Sequence, residues 1–128
     1  PQKLLKNIVG SSILLVDDSE INQQLVESIL LNWGIKVRSA NRGKKAIEIL
    51  KNNSFDLVLM DINLPDINGY EATVEIKRTR PGLPVIAQTA KALAGDREKS
   101  IDAGCDDYIT KPIKQKLLIR MIKEQFKQ

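Results

Sequence analysis

A short, wholly apolar run that ends on a single carboxylate constrains the fold of this chain most strongly. The run is LVLM at residues 57–60, and Asp61 follows it directly, ahead of a loop rich in Pro, Asn and Gly. Consecutive apolar residues without alternation are typical of a strand that is buried on both faces, as in a parallel sheet covered by helices. We therefore predict a central strand with Asp61 at its carboxyl end, although a lone Asp in this position more often starts a turn.

Four further strand patterns and five helical patterns alternate with this run. The strand patterns lie at residues 13–16, 36–40, 85–87 and 108–110, and a helical pattern follows every strand. Strict alternation of strands and helices predicts a parallel sheet with right-handed crossovers and helices on both faces. We therefore predict an α/β fold, a single-domain doubly wound (βα)5 arrangement with a five-stranded parallel sheet.

The first helix shows the clearest helical spacing. Ile21, Leu25, Ile29 and Trp33 recur at every fourth position with Val26 and Leu30 beside them, and Ser19 precedes them as a plausible N-cap. The pattern predicts an amphipathic helix that starts immediately after the first strand.

Polar side chains that can act in catalysis or bind a metal follow four of the five predicted strands. Asp17 and Asp18 follow the first, Asp61 the third, Thr89 the fourth and Lys111 the fifth. Because the carboxyl ends of parallel strands share one edge of the sheet, these groups are predicted to meet there. Taken singly, each has an ordinary structural explanation, such as a helix cap for Asp17 or a solvated Lys111. Together they predict a phosphoryl-transfer site with a carboxylate nucleophile and an all-oxygen Mg²⁺ site.

Composition excludes several alternatives. The chain has 128 residues, which suit one domain, and it contains no histidine, which excludes Ser-His-Asp catalysis and any phosphohistidine on this chain. No apolar run is long enough to cross a bilayer, and the amino end does not resemble a signal peptide. Aromatic residues make up only 4% of the chain, and no helix-turn-helix pattern is present, so we expect no nucleic-acid partner.

Four separated motifs stand out along the chain: LLVDD at residues 14–18, Met60-Asp61 with Pro65 and Gly69 following, Thr89-Ala90, and AGCDDYITKPI at residues 103–113. In their order and spacing, these motifs resemble the receiver (response-regulator, CheY-like) domain of two-component signalling. The resemblance covers nearly all of the chain from about Ser12 and implies a flavodoxin-like fold. The amino-acid sequences of residues 92–99 and 71–73 further resemble those of receivers in hybrid sensor histidine kinases.

The resemblance implies a role for each site residue. Asp61 would be the phosphoacceptor, and Lys111 would pair with a phosphoryl oxygen. Mg²⁺ would be held by Asp61, directly by Asp18, largely through water by Asp17, and by the backbone carbonyl of Asn63.

A conformational switch is implied in the same way. Thr89 would hydrogen-bond the phosphoryl group while Tyr108 turns inward, which changes the partner-binding face. The Lys111-Pro112 peptide bond would be cis. The residues themselves also suggest that Lys91 steers a donor or shields the aspartyl phosphate, although a solvated lysine is the simpler interpretation.

The resemblance also implies partners and a location. A histidine kinase or a histidine phosphotransfer domain would donate or accept the phosphoryl group in a phosphorelay. We expect residues 1–11 to be a lead-in segment and residues 12–128 the receiver domain, monomeric or forming a weak phosphorylation-dependent dimer. We expect a cytoplasmic location without membrane insertion, as a free regulator or as the cytoplasmic part of a membrane-bound sensor kinase. An isolated receiver catalyses only its own phosphorylation and dephosphorylation; whether a longer parent chain is a kinase stays open.

Two other functions remain to be weighed. A haloacid-dehalogenase-like phosphohydrolase also uses an Asp after a strand with Mg²⁺, but it needs a second Asp two residues later, where this chain has Asn63. A degenerate receiver would act only as a phosphorylation-independent interaction module. Retention of the full set of polar side chains at the strand ends argues against that module.

Overall fold

Five strands and five helices alternate along the chain, as predicted. The computed structural model describes residues 8–90 and 95–127. In chain order, the elements are β1 (Ser12–Val16), α1 (Glu20–Asn32), β2 (Lys36–Ala40), α2 (Gly43–Asn52), β3 (Leu57–Asp61), α3 (Gly69–Thr79), β4 (Val85–Thr89), α4 (Asp96–Ala103), β5 (Asp107–Thr110) and α5 (Gln115–Phe126).

The five strands form one parallel sheet in the order β2-β1-β3-β4-β5. The order reverses between β1 and β3, because the chain passes from the β1–β2 side to the β3–β5 side at this point. In an open α/β sheet, the crevice at the carboxyl ends of the strands beside such a reversal is where ligands bind. Asp61 is the last residue of β3 and is paired with Gln88 of β4.

Side chains of the central strands alternate between two apolar cores. One core lies against α1 and α5 and includes Leu15, Leu59 and Ile86 from the sheet. The other lies against α2 and α3 and includes Val16 and Met60. Because both faces are covered, the central strands read as continuous apolar runs rather than alternating ones.

Helix α1 begins where predicted, and its buried face combines one member of the fourfold apolar series with the two apolar residues beside that series. The Ser19 hydroxyl caps the helix by accepting the Asn22 backbone N–H. The helix buries Val26, Ile29 and Leu30, whereas three members of the fourfold series are substantially exposed: Ile21, Leu25 and Trp33. Each step of four residues overshoots a full helical turn by about 40°, so the series winds away from the sheet.

The segment before β1 also contributes to the core. Ile8 is buried, and the Ser11 hydroxyl donates a hydrogen bond to the Ile8 carbonyl oxygen over 2.6 Å.

Across the part of the chain that the structure describes, no helix combines the length and apolar character needed to cross a membrane.

Candidate functional site

Asp17 and Asp18 follow β1 directly but occupy different environments. Asp17 is fully buried, and its carboxylate accepts the Ser19 backbone N–H over 2.9 Å and the side-chain amide of Asn22. The Gln23 side chain also donates to the Asp17 backbone carbonyl. Asp18 is exposed at the edge of the site. The buried carboxylate is therefore held in place by α1, while its neighbour is accessible from solvent.

Asp61 ends β3, and the following loop turns tightly over it. A Cβ atom on Gly69 would lie 2.3 Å from the Asp61 carbonyl oxygen, so only glycine permits this close approach. The Gly69 N–H donates to the Ile62 carbonyl oxygen over 2.8 Å, and the Asn63 N–H donates to the Asp61 carboxylate over 3.1 Å. These bonds close the loop against the end of the strand that carries Asp61.

Lys111 joins the two buried carboxylates. Its ammonium nitrogen lies 3.1 Å from Asp17 Oδ2 and 3.2 Å from Asp61 Oδ2. The Lys111 backbone N–H donates to the Thr89 carbonyl oxygen over 2.7 Å, and the Lys111-Pro112 peptide bond is cis. The structure thus brings together three groups that are separated by 44 and 50 residues in the sequence.

Burial and charge oppose one another at this site. The pKa of Asp61 is raised from 3.8 to about 6, because burial, assisted by the charge of Asp17, outweighs the lowering effect of Lys111. Burial alone would lower the pKa of Lys111, but Asp61 and Asp17 together raise it. Mutual repulsion between the carboxylates of Asp17 and Asp61 therefore contributes less to the raised pKa of Asp61 than the removal of Asp61 from water.

The acidic residues fit a small divalent cation. One carboxylate oxygen from each of Asp17, Asp18 and Asp61 lies within 4.8 Å of the others. Mg²⁺ prefers oxygen ligands, binds through one or two carboxylates and retains several waters, for which exposed Asp18 leaves space. The assignment of the Asn63 carbonyl as a further ligand stays a prediction.

Thr89 and Tyr108 lie on neighbouring strands and on the same face of the sheet. Thr89 is the buried last residue of β4, and Tyr108 is paired with Ala87, two residues earlier on that strand. Tyr108 is half-buried against the core formed with α2 and α3, and burial is the largest cause that raises the pKa of its hydroxyl. Lys91 lies outside the described residues.

Three amide side chains near the site were not anticipated from the sequence. Asn22 and Gln23 hold Asp17, and Asn22 Nδ2 also lies 3.5 Å from the Gln88 side-chain oxygen. Gln88 is fully buried although it continues an apolar strand. The one indication in the sequence was that Gln88, a polar residue, continues an otherwise apolar strand.

Comparisons with known proteins agree with this geometry. The family model described as the response regulator receiver domain matches residues 13–123. The chain is 38% identical over 127 residues to hybrid signal transduction histidine kinase I of Dictyostelium discoideum, covering 92% of this chain but only 7% of that protein.

Two solved receiver domains superimpose closely. The receiver domain of sensor histidine kinase PA1611 from Pseudomonas aeruginosa, with a magnesium ion in its active-site cleft, is 38% identical, with a TM-score of 0.87 over 94% of this chain and 100% of that one. The second structure is a complex of the receiver domain of Ssk1 from Saccharomyces cerevisiae with the histidine phosphotransfer protein Ypd1. The match is 30% identical, with a TM-score of 0.85 over 94% of this chain and 92% of the other. With the sheet order, the acidic cluster and the family match in agreement, this chain belongs to the response regulator receiver domains of two-component signalling.

Proposed function

We propose that this domain is a Mg²⁺-dependent phosphoacceptor switch in a two-component phosphorelay. The observation that carries the proposal is the placement of Lys111 between the buried carboxylates of Asp17 and Asp61, at 3.1 and 3.2 Å. A carboxylate nucleophile with a neighbouring ammonium and an acidic cation site provides the groups that phosphoryl transfer to Asp requires.

In this reaction, a carboxylate oxygen of Asp61 attacks the phosphorus of a donor phosphohistidine. The new O–P bond forms as the N–P bond breaks, and the electron pair of the N–P bond remains on the imidazole nitrogen of the donor. Lys111 moves from its carboxylate partners to a phosphoryl oxygen, and Asp17, Asp18 and Asp61 would hold Mg²⁺. When bound, Mg²⁺ neutralises charge on the transferring phosphoryl group.

Phosphorylation would then act on Thr89 and Tyr108. A phosphoryl group adds nearly two negative charges and strong acceptor oxygens, and the hydroxyl of Thr89, the last residue of β4, would donate a hydrogen bond to one of them. Movement of Thr89 makes room on the face that it shares with Tyr108, and inward rotation of Tyr108 changes the outer face near α4 and β5. Such a local change suffices to bias a bistable element.

Exposed apolar side chains beside the site suggest where the donor docks. On α1, Ile21 is 82% exposed and Leu25 is 44% exposed, and they flank Asn22, which contacts Asp17. We infer that the helix bundle of a histidine phosphotransfer or kinase dimerisation domain packs on these side chains in the cytoplasm. The co-crystal structure of Ypd1 with the Ssk1 receiver domain supports a partner of this class.

Intact-mass measurement after incubation with acetyl phosphate tests the proposal. We expect one phosphoryl adduct that requires Mg²⁺ and disappears in D61N or with a chelator. A folded protein that gives no adduct under any condition would instead support a phosphorylation-independent interaction module. Continuous phosphate release with rapid turnover would support a hydrolase, for which Asn63 lacks the acid–base group.

A further inference from the structure

Helix α2 receives its N-terminal cap from a distant loop. Its own N-cap residue, Arg42, makes no side-chain cap bond. Instead, Asp66 in the loop after β3 accepts the Gly43 N–H over 3.0 Å and the Lys44 N–H over 2.8 Å, one with each carboxylate oxygen. The first backbone N–H groups of a helix lack partners within the helix, so an anionic acceptor there stabilises both the helix and the acceptor.

A second contact joins the same loop to the same turn of α2. Ile67 packs directly on the backbone of Gly43, where an added Cβ would lie 2.7 Å from Ile67 Cγ1. Gly43 is buried, although it occupies the first position of a helix. The absence of a side chain at Gly43 therefore permits the approach that the Asp66 hydrogen bonds require.

The loop that Asp66 anchors is the loop beside the acidic site. It begins at Asp61, passes through Asn63 and ends at Gly69, where the N–H bond to Ile62 closes it. Burial alone would raise the pKa of Asp66, but hydrogen bonds from the backbone N–H groups of Lys44, Ile67 and Gly43 lower it to about 2. The anchor therefore stays ionised throughout the physiological pH range.

We propose that Asp66 is a positioning residue for the phosphorylation site, which holds the Asn63 segment against α2 and thereby sets the affinity for Mg²⁺. The inference rests on the proposed function, because it takes the Asn63 carbonyl as a metal ligand. The Asp66 carboxylate acts by binding the backbone N–H groups of α2, and it would contact neither the metal nor the phosphoryl group. The first turn of α2 is thus part of the support of the site.

Calorimetric titration of Mg²⁺ into the metal-free full chain tests this role. We expect D66A to raise the Mg²⁺ dissociation constant by about 10-fold, the lower end of the effect of removing a supporting residue around a metal ligand. D106A is the matched control: Asp106 accepts the Val85 N–H over 2.8 Å and pairs with Lys77 at the amino-terminal edge of the sheet. D106A should lose stability and keep its Mg²⁺ affinity.

A second variant separates loop position from helix stability. G43A improves the helix propensity of α2 by up to about 1 kcal/mol, yet its new methyl group must displace Ile67. We expect weaker Mg²⁺ binding in G43A and substantial recovery in G43A/I67A, which restores the space.

The outcomes are distinguishable from those of the proposed function. If the wild-type chain does not bind Mg²⁺, the proposed function itself fails. If the wild-type chain binds Mg²⁺ and D66A binds it equally well, or if D66A and D106A weaken binding equally, Asp66 has no positioning role and the inference is overturned.

Discussion

Gln88 is a buried polar side chain in a position that an apolar one could fill. Among the residues that the structure describes, its side-chain nitrogen has no hydrogen-bond partner, and its side-chain oxygen has only the 3.5 Å approach of Asn22 Nδ2. An unsatisfied buried donor costs about 1–3 kcal/mol. We expect Q88M, which conserves volume, to raise the melting temperature by about 3–5 °C. The same change at exposed Gln115 should have little effect, and an unchanged or lower value for Q88M would contradict the argument.

The raised pKa of Asp61 makes the stability of the metal-free protein depend on pH. The folded chain holds this proton up to about pH 6, whereas the unfolded chain releases it near 3.8, so stability falls as pH rises between these values. We expect D61N, which cannot ionise, to be more stable than wild type at pH 7.5 by about 1–3 kcal/mol in chelator. The difference should shrink towards pH 4.5; urea unfolding at both pH values measures it, and a difference independent of pH would refute the assignment.

Residues at strand ends could be predicted because the signal is local. The position of Asp61 follows from the apolar run before it, and Lys111 from the run before Pro112. The cap that Asp66 provides to α2 spans 22 and 23 residues and leaves no pattern in either segment. Such a contact depends on how the loop after β3 meets the first turn of α2, which only the folded chain defines.

At the scale of elements, α1 combines a buried face with an exposed apolar one. The apolar pattern predicted the helix correctly and included all three buried residues, Val26, Ile29 and Leu30. The fourfold series itself winds off the buried face, since the helix repeats every 3.6 residues. Ile21 and Leu25 therefore lie in solvent near the acidic site, and Leu31 is 62% exposed at the far end. Exposed apolar groups beside a reactive site are consistent with a docking surface.

If the donor docks on α1, a substitution there should slow phosphorylation by a protein donor but not phosphorylation by acetyl phosphate. We expect I21K to slow phosphoryl transfer from a histidine phosphotransfer protein by at least about 10-fold, because a charge replaces an apolar contact at the interface centre. Phosphorylation by acetyl phosphate, which needs no docking, should be unchanged. L31K is the matched control on the same helix and should leave both rates unaltered; equal loss in both variants would exclude docking at this end of α1.

At the scale of the whole molecule, the sheet order places the reactive groups where neither core depends on them. Asp17 follows β1 and Asp61 ends β3, and the residues before them in these strands fill the two apolar cores, so the packing of the cores does not depend on the reactive groups.

Binding of Mg²⁺ to the folded state should therefore stabilise the entire domain. A ligand that binds only the native state adds about 2.7 kcal/mol when present at 100 times its dissociation constant. We expect the melting temperature of the wild-type chain to rise with Mg²⁺ concentration and to return to its starting value with chelator. D18N, which removes the exposed carboxylate of the acidic cluster, should abolish most of the rise, whereas D102N on the exposed surface of α4 should retain it. A Mg²⁺-dependent rise of equal size in D18N would show that the stabilising cation binds elsewhere, and the acidic cluster would lose its role as the metal site.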